Sequence, residues 1–119
     1  HRFPLMIHAA LKEKRFSLNR MVDISATAPA KMFGLYPQKG TIAVGSDADI
    51  VIVDPKATSI ISAQTHHMNV DYSCFEGMEL TGAIETVISR GATLVAGGEF
   101  LGSSSHGRYL RRGLNQLLM

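Results

Sequence analysis

The chain has one cysteine and no tryptophan among its 119 residues. A single thiol, Cys74, excludes an internal disulfide framework and suits a reducing cytosol. No apolar run approaches the roughly 20 residues of a membrane span, which argues against a membrane protein. An excess of one charge is lacking too: 12 Lys and Arg against 10 Asp and Glu leave a formal net charge of +2, too weak to argue for nucleic acid. The basic residues are scattered, apart from Arg108, Arg111 and Arg112. There is no internal repeat and no visible signal peptide. The opening His1, Arg2, Phe3 and Pro4 lack a methionine and read as the middle of a longer gene product. What is present, 45% hydrophobic and 18% charged residues, is the composition of a globular chain the size of one ordinary domain.

Two styles of sequence meet near Tyr36 and Pro37. Before them the pattern is helical. Phe3, Ile7, Ala10 and Leu11 share one helical face, with Lys12, Glu13 and Lys14 turned outward. Ser17 is placed to cap a second helix presenting Leu18, Met21 and Val22. Thr27, with Pro29 two residues on, reads as the start of a third short helix that Gly34 stops. After Pro37 come short strands and glycine turns. Gly40 to Asp54 reads as strand, tight polar turn and strand. Gly40 and Gly45 supply backbone freedom there, and Asp47 and Asp49 can bond the turn's own amides. Ile50, Val51, Ile52 and Val53 form a block expected to be buried on both faces, ended by Asp54 and Pro55. Residues 58–61 read as another strand. Residues 87–89 and 93–95 form a hairpin about Arg90, Gly91 and Ala92, and Gly97 and Gly98 turn the chain again. Ser103, Ser104 and Ser105 begin a polar, mobile tail. The helices and the Ile50 block have no evident layer to pack on, so the chain reads as a piece of something larger.

No residue set forms a catalytic constellation. His66 and His67 are adjacent, so on an extended segment they point to opposite faces and cannot readily share an ion. A metal site wants H-x-H on a strand or H-x-x-x-H on a helix, and neither occurs. His1, His8 and His106 are isolated. The pair Asp47 and Asp49 fits turn capping better than catalysis. A lone Cys74 is more often a small buried hydrophobe than a nucleophile. Asp71, Glu76 and Glu79 fall in the loop-like stretch 69–80, read as a packed loop or a subunit contact. Gly97, Gly98 and Gly102 lack phosphate-loop spacing.

Four stretches together carry a resemblance: residues 28–37, the run from Gly40 to Asp54, residues 65–78 (His66, His67, Asn69, Asp71, Tyr72, Phe75, Glu76, Gly77) and residues 87–91. They resemble the amidohydrolase superfamily and, within it, the dihydropyrimidinase and D-hydantoinase family of cyclic amidases, over that family's C-terminal quarter or so. The resemblance implies an α/β fold: a (β/α)8 barrel carrying a β-sandwich built from both ends of the chain. Residues 1–36 would then be the terminal barrel helices. Residues 37–105 would be the C-terminal share of the sandwich with an interface loop, and residues 106–119 a basic tail. It also implies hydrolytic opening of dihydropyrimidines or 5-substituted hydantoins to N-carbamoyl amino acids. Two zinc-type ions bridged by a carboxylated lysine and a hydroxide would do this, with an aspartate as proton shuttle. The family's ligands all match positions before His1, so no catalytic or metal residue is carried over; His66, His67, Lys31 and Lys39 do not match them. A cytoplasmic homotetramer is implied, with Asn69, Tyr72, Phe75, Arg108 and Arg111 as candidate subunit contacts and neither nucleic acid nor membrane as partner. A non-catalytic scaffold relative or an allantoinase are the other readings. The scaffolds continue into a long Ser/Pro-rich tail, which this chain lacks after Gln116, and residues 66–78 argue against allantoinase. The chain alone is expected to be inactive and unstable.

Overall fold

The computed structural model describes residues 1–117; the last two residues of the expected basic tail, Leu118 and Met119, lie outside the described residues. A helical part comes first. Helix α1 spans Arg2–Leu11 and buries Ile7 and Ala10, against which Phe3, Met6 and Leu11 pack. That is the face given by the i, i+4, i+7 spacing. Helix α2 covers Leu18–Val22, and the Ser17 side chain caps it by accepting from the Arg20 N–H at 3.1 Å. Of its three apolar residues only Met21 is buried; Leu18 and Val22 are half exposed.

The expected break before a third helix does not occur. A π-helical turn, Asp23–Thr27, runs from α2 directly into helix α3, Ala28–Met32. Thr27 is helical, and its hydroxyl donates to the Gly40 carbonyl at 2.7 Å instead of capping. Pro29 comes just after the π-helical turn, and the helix continues through it despite the missing N–H. Gly34, at φ +64°, ends the helix, with the Leu35 N–H donating to the Ala30 carbonyl at 2.8 Å.

The second part is a four-stranded antiparallel sheet in the order β1-β2-β3-β4: Ile50–Ile60, Glu79–Ser89, Ala92–Ala96 and Glu99–Phe100. The β2–β3 turn at Arg90 and Gly91 has positive φ at both positions, as a two-residue hairpin turn of this hand requires. Residues 41–44 form no strand before the polar turn, and three further expectations are corrected here. Asp54 and Pro55 do not end a strand; β1 continues to Ile60 through a bulge in which residues 55–57 face Gly82. A bulge on an outer strand tolerates a proline without a lost ladder bond. The Ile50 block is not buried on both faces: β1 is the outer strand, and Val51 and Ile52 are 43% and 44% exposed. Finally, residues 79 and 80 belong to β2 and not to a loop, and Leu80 is buried.

The two parts meet where α1 lies on β2. Gly82 has φ +88°, and a Cβ there would run into Ile7 Cγ2 and approach Leu11 Cδ1 to 2.9 Å. The bulge, the glycine and the helix therefore form one joint. The core is continuous across it, with Val53 and Ile84 packed on Ile7, Ala10 and Met21.

Candidate functional site

Between the helices and the sheet lies the turn 38–49. Lys39, whose side chain is only 18% exposed, reaches the Asp47 carboxylate at 2.9 Å and also bonds Asp49. Asp47 further accepts from the Gln38 side-chain amide at 3.2 Å. Asp49 receives the Arg90 N–H at 2.8 Å and the Ser89 hydroxyl at 3.1 Å through its other oxygen. The two carboxylates are thus held by one ammonium, and Asp49 ties the turn to the β2–β3 hairpin.

The protonation equilibria follow from these contacts. Lys39 bonding keeps the Asp47 carboxyl below its ordinary value, against partial desolvation. Desolvation pushes Asp49 up, but the bonds from Lys39 and the Arg90 N–H outweigh it and the net shift is down. Burial likewise opposes the charge on Lys39, and the two aspartates more than offset it, so its pKa is raised. These are the directions of a structural clamp, not of a general acid or base poised near neutrality.

Gly40 and Gly45 both have positive φ, at +81° and +90°. Their surroundings differ. A Cβ on Gly40 would come within 2.5 Å of Ala30 Cβ, whereas Gly45 faces open space. Sequence reasoning placed these two glycines and two aspartates in the turn but missed Lys39, since a lone lysine ten residues before its partner carries no local signal.

The loop between β1 and β2 is closed at its base by Ile61 N–H to the Met78 carbonyl and Gly77 N–H to the Ile61 carbonyl, at 3.0 and 2.9 Å. Glu76 staples it, accepting from the Ser62 hydroxyl at 2.8 Å and the Ala63 N–H at 2.6 Å. The Ser62 hydroxyl first and the Ala63 N–H next hold Glu76 below its ordinary pKa. His66 is half-buried, edge-on to His1 with ring centroids 5.9 Å apart, while His67 is exposed. Cys74 is exposed, not a buried hydrophobe as expected. Asn69, Tyr72, Phe75, Arg108 and Arg111 are all exposed, Tyr72 by 70%. Beside Tyr72 and Phe75, a largely apolar cleft of about 490 Å³ opens between this loop and the first turn of α1.

Residues 103–117 are expected as a mobile tail, yet they are fastened. The Arg90 guanidinium bonds the His106 carbonyl, Gly113 N–H donates to Gly34 at 2.8 Å, and Gln116 N–H donates to the Lys31 carbonyl at 3.0 Å. The last two bonds land at the end of α3, where the Lys31 carbonyl also accepts from the Gly34 N–H at 3.2 Å.

Among the described residues no group of three or more His, Cys, Asp or Glu side chains is placed to hold a metal ion. The residues present therefore do not fit a catalytic metal centre; what the turn, loop and tail show is fastening contacts. No helix among the described residues is long and apolar enough to cross a membrane.

Comparison with known proteins gives these features their setting. The D-hydantoinase of Streptomyces coelicolor is 51% identical over 113 residues, covering 95% of this chain and 24% of that protein. The crystal structure of dihydropyrimidinase from Brevibacillus agri superposes with a TM-score of 0.88 at 50% identity, over 92% of this chain and 24% of that one. The D-hydantoinase (dihydropyrimidinase) of a Thermus species gives a TM-score of 0.90 at 42% identity, over 99% of this chain and 25% of that one. The chain spans about a quarter of the length of these relatives. Residues 2–94 match the model of the amidohydrolase family, and the chain belongs to that enzyme family.

Proposed function

We propose that this chain is the C-terminal segment of a metal-dependent cyclic amidase. The complete enzyme opens the ring amide of dihydropyrimidines or 5-substituted hydantoins to N-carbamoyl amino acids. The observation that carries the reading is identity of 42–51% to hydantoinases and dihydropyrimidinases along nearly the whole chain. The exposed apolar residues support it. Val51 and Ile52 on the outer strand, Leu18 and Val22 on α2, and Ile42 and Val44 before β1 are too many for a finished surface. In this reading residues 1–36 are the last helices of a (β/α)8 barrel, residues 37–105 the C-terminal share of a β-sandwich and its interface loop, and residues 106–119 a basic tail. The chemistry would lie upstream, where two zinc-type ions would polarise the ring carbonyl and provide a hydroxide nucleophile. The chain's own contribution is mechanical. The Lys39 clamp, the Gly82 joint and the Glu76 staple hold the helices, sheet and loop in one arrangement. The complete protein works in the cytoplasm as a homotetramer, with Asn69, Tyr72, Phe75, Arg108 and Arg111 at subunit contacts.

The upstream sequence and a substrate panel test this. The reading expects an H-x-H motif and a bridging lysine before His1, and ring opening of dihydrouracil or a 5-substituted hydantoin by the complete protein. Absence of both motifs would point to a non-catalytic relative, and preference for allantoin to an allantoinase.

A further inference from the structure

His8 is the side chain that bonds α1 directly to the sheet. Its Nδ1 accepts the Thr81 N–H at 2.9 Å across 73 residues of sequence, and its side chain is 13% exposed. Thr81 lies at the edge of the β1 bulge, next to Gly82 on which α1 rests. A ring that accepts through Nδ1 carries its proton on Nε2, and Nε2 faces Glu13 Oε1 at 3.9 Å. An imidazolium has two N–H donors and no acceptor, so the same geometry would set N–H against N–H.

We propose that His8 is a protonation-sensitive latch that fastens α1 to β2 when the ring is neutral and releases it when the ring takes a second proton. The charged groups around it do not remove this conflict. Glu13 faces Nε2 through Oε1 while its Oε2 pairs with Arg15, so it offers nothing to a proton on Nδ1. On α2 the charged residue is Arg20, which pairs with Asp23. On β2 the titratable residues are Glu79 and Glu85, on β1 they are Asp54 and Lys56, and just past α1 comes Lys12, all exposed. Acidification therefore weakens the contact between the helical part and the sheet at this one point, and opening exposes Thr81 first.

Amide hydrogen exchange on the complete protein between pH 7.5 and 5, corrected for the intrinsic pH dependence of exchange, tests this. The variants are His8→Asn, whose amide oxygen can accept from Thr81 but does not titrate, and His8→Gln as a second choice. Protection of residues 80–83 in the natural protein is expected to fall, by at most about tenfold per pH unit for one linked proton. Protection in the variant is expected to stay level, and residues 92–96 serve as an internal reference. A parallel fall in natural protein and variant, or an equal fall at residues 80–83 and 92–96, would overturn the proposal. If neither variant folds, the comparison of the two segments in the natural protein decides.

Discussion

Asp49 accepts from a lysine, a backbone N–H and a hydroxyl at once, and this makes it the side chain on which the turn most depends. Asp49→Asn keeps the shape but removes the charge, and is expected to cost about 1–2 kcal/mol after allowing for solvent screening. The pH dependence has a definite sign. The Asp49 and Asp47 carboxyls lie below their ordinary 3.8, so their contribution is present above that value and is lost as the pH falls through the lower folded values. The Lys39 ammonium lies above its ordinary 10.5, so its contribution is complete below 10.5 and lost as the pH rises past the raised value. Thermal melts of the complete protein should therefore show a gap between the natural form and Asp49→Asn that is constant near neutrality and closes below pH 3.8. A gap that persists there would contradict the clamp. A pair of glycines provides a second test. Gly82→Ala meets Ile7 at positive φ and should cost about 2–4 kcal/mol, whereas Gly45→Ala meets nothing and should cost about 1 kcal/mol for its backbone alone. Equal losses would mean that α1 does not press on the sheet.

Elements held by local chemistry were legible from sequence, and elements held by distant contacts were not. Ser17 announced α2, Gly34 its continuation's end, and Arg90 with Gly91 the hairpin, because each acts within a few residues. The passage of β1 through Pro55 depends on Gly82 and on a helix more than 40 residues earlier, which no local window contains. Thr27 misled for a similar reason. Its hydroxyl answers Gly40 across the chain, and the π-helical turn then carries the helix through. At the site, the turn's glycines and aspartates were visible, while the lysine that binds the aspartates was not. At this scale the loop between β1 and β2 makes its own prediction. Glu76→Gln loses the charge on a bond to the Ser62 hydroxyl and one to the Ala63 N–H, so limited proteolysis should cut within residues 63–75 several-fold faster. The β2–β3 hairpin should be unaffected, and equal loss of both would show that the staple is not local.

As a molecule, the chain joins a helical part to a sheet through one core. Its apolar core runs from α1 into the sheet, yet Ile42, Val44 and Ile60 are 81%, 109% and 65% exposed. Surface of that kind predicts that the 119 residues expressed by themselves will self-associate, read as a broad light-scattering distribution; a sharp cooperative melt from a monomer would argue otherwise. The central claim is that hydrolysis belongs to the complete protein and that this segment only braces it. Turnover of a 5-substituted hydantoin, followed for the complete protein with and without a chelator and for the 119-residue chain with added zinc, tests it most directly. The account predicts turnover by the complete protein that the chelator abolishes, and none by the chain. Metal-dependent turnover by the chain alone, or chelator-resistant turnover by the complete protein, would contradict it.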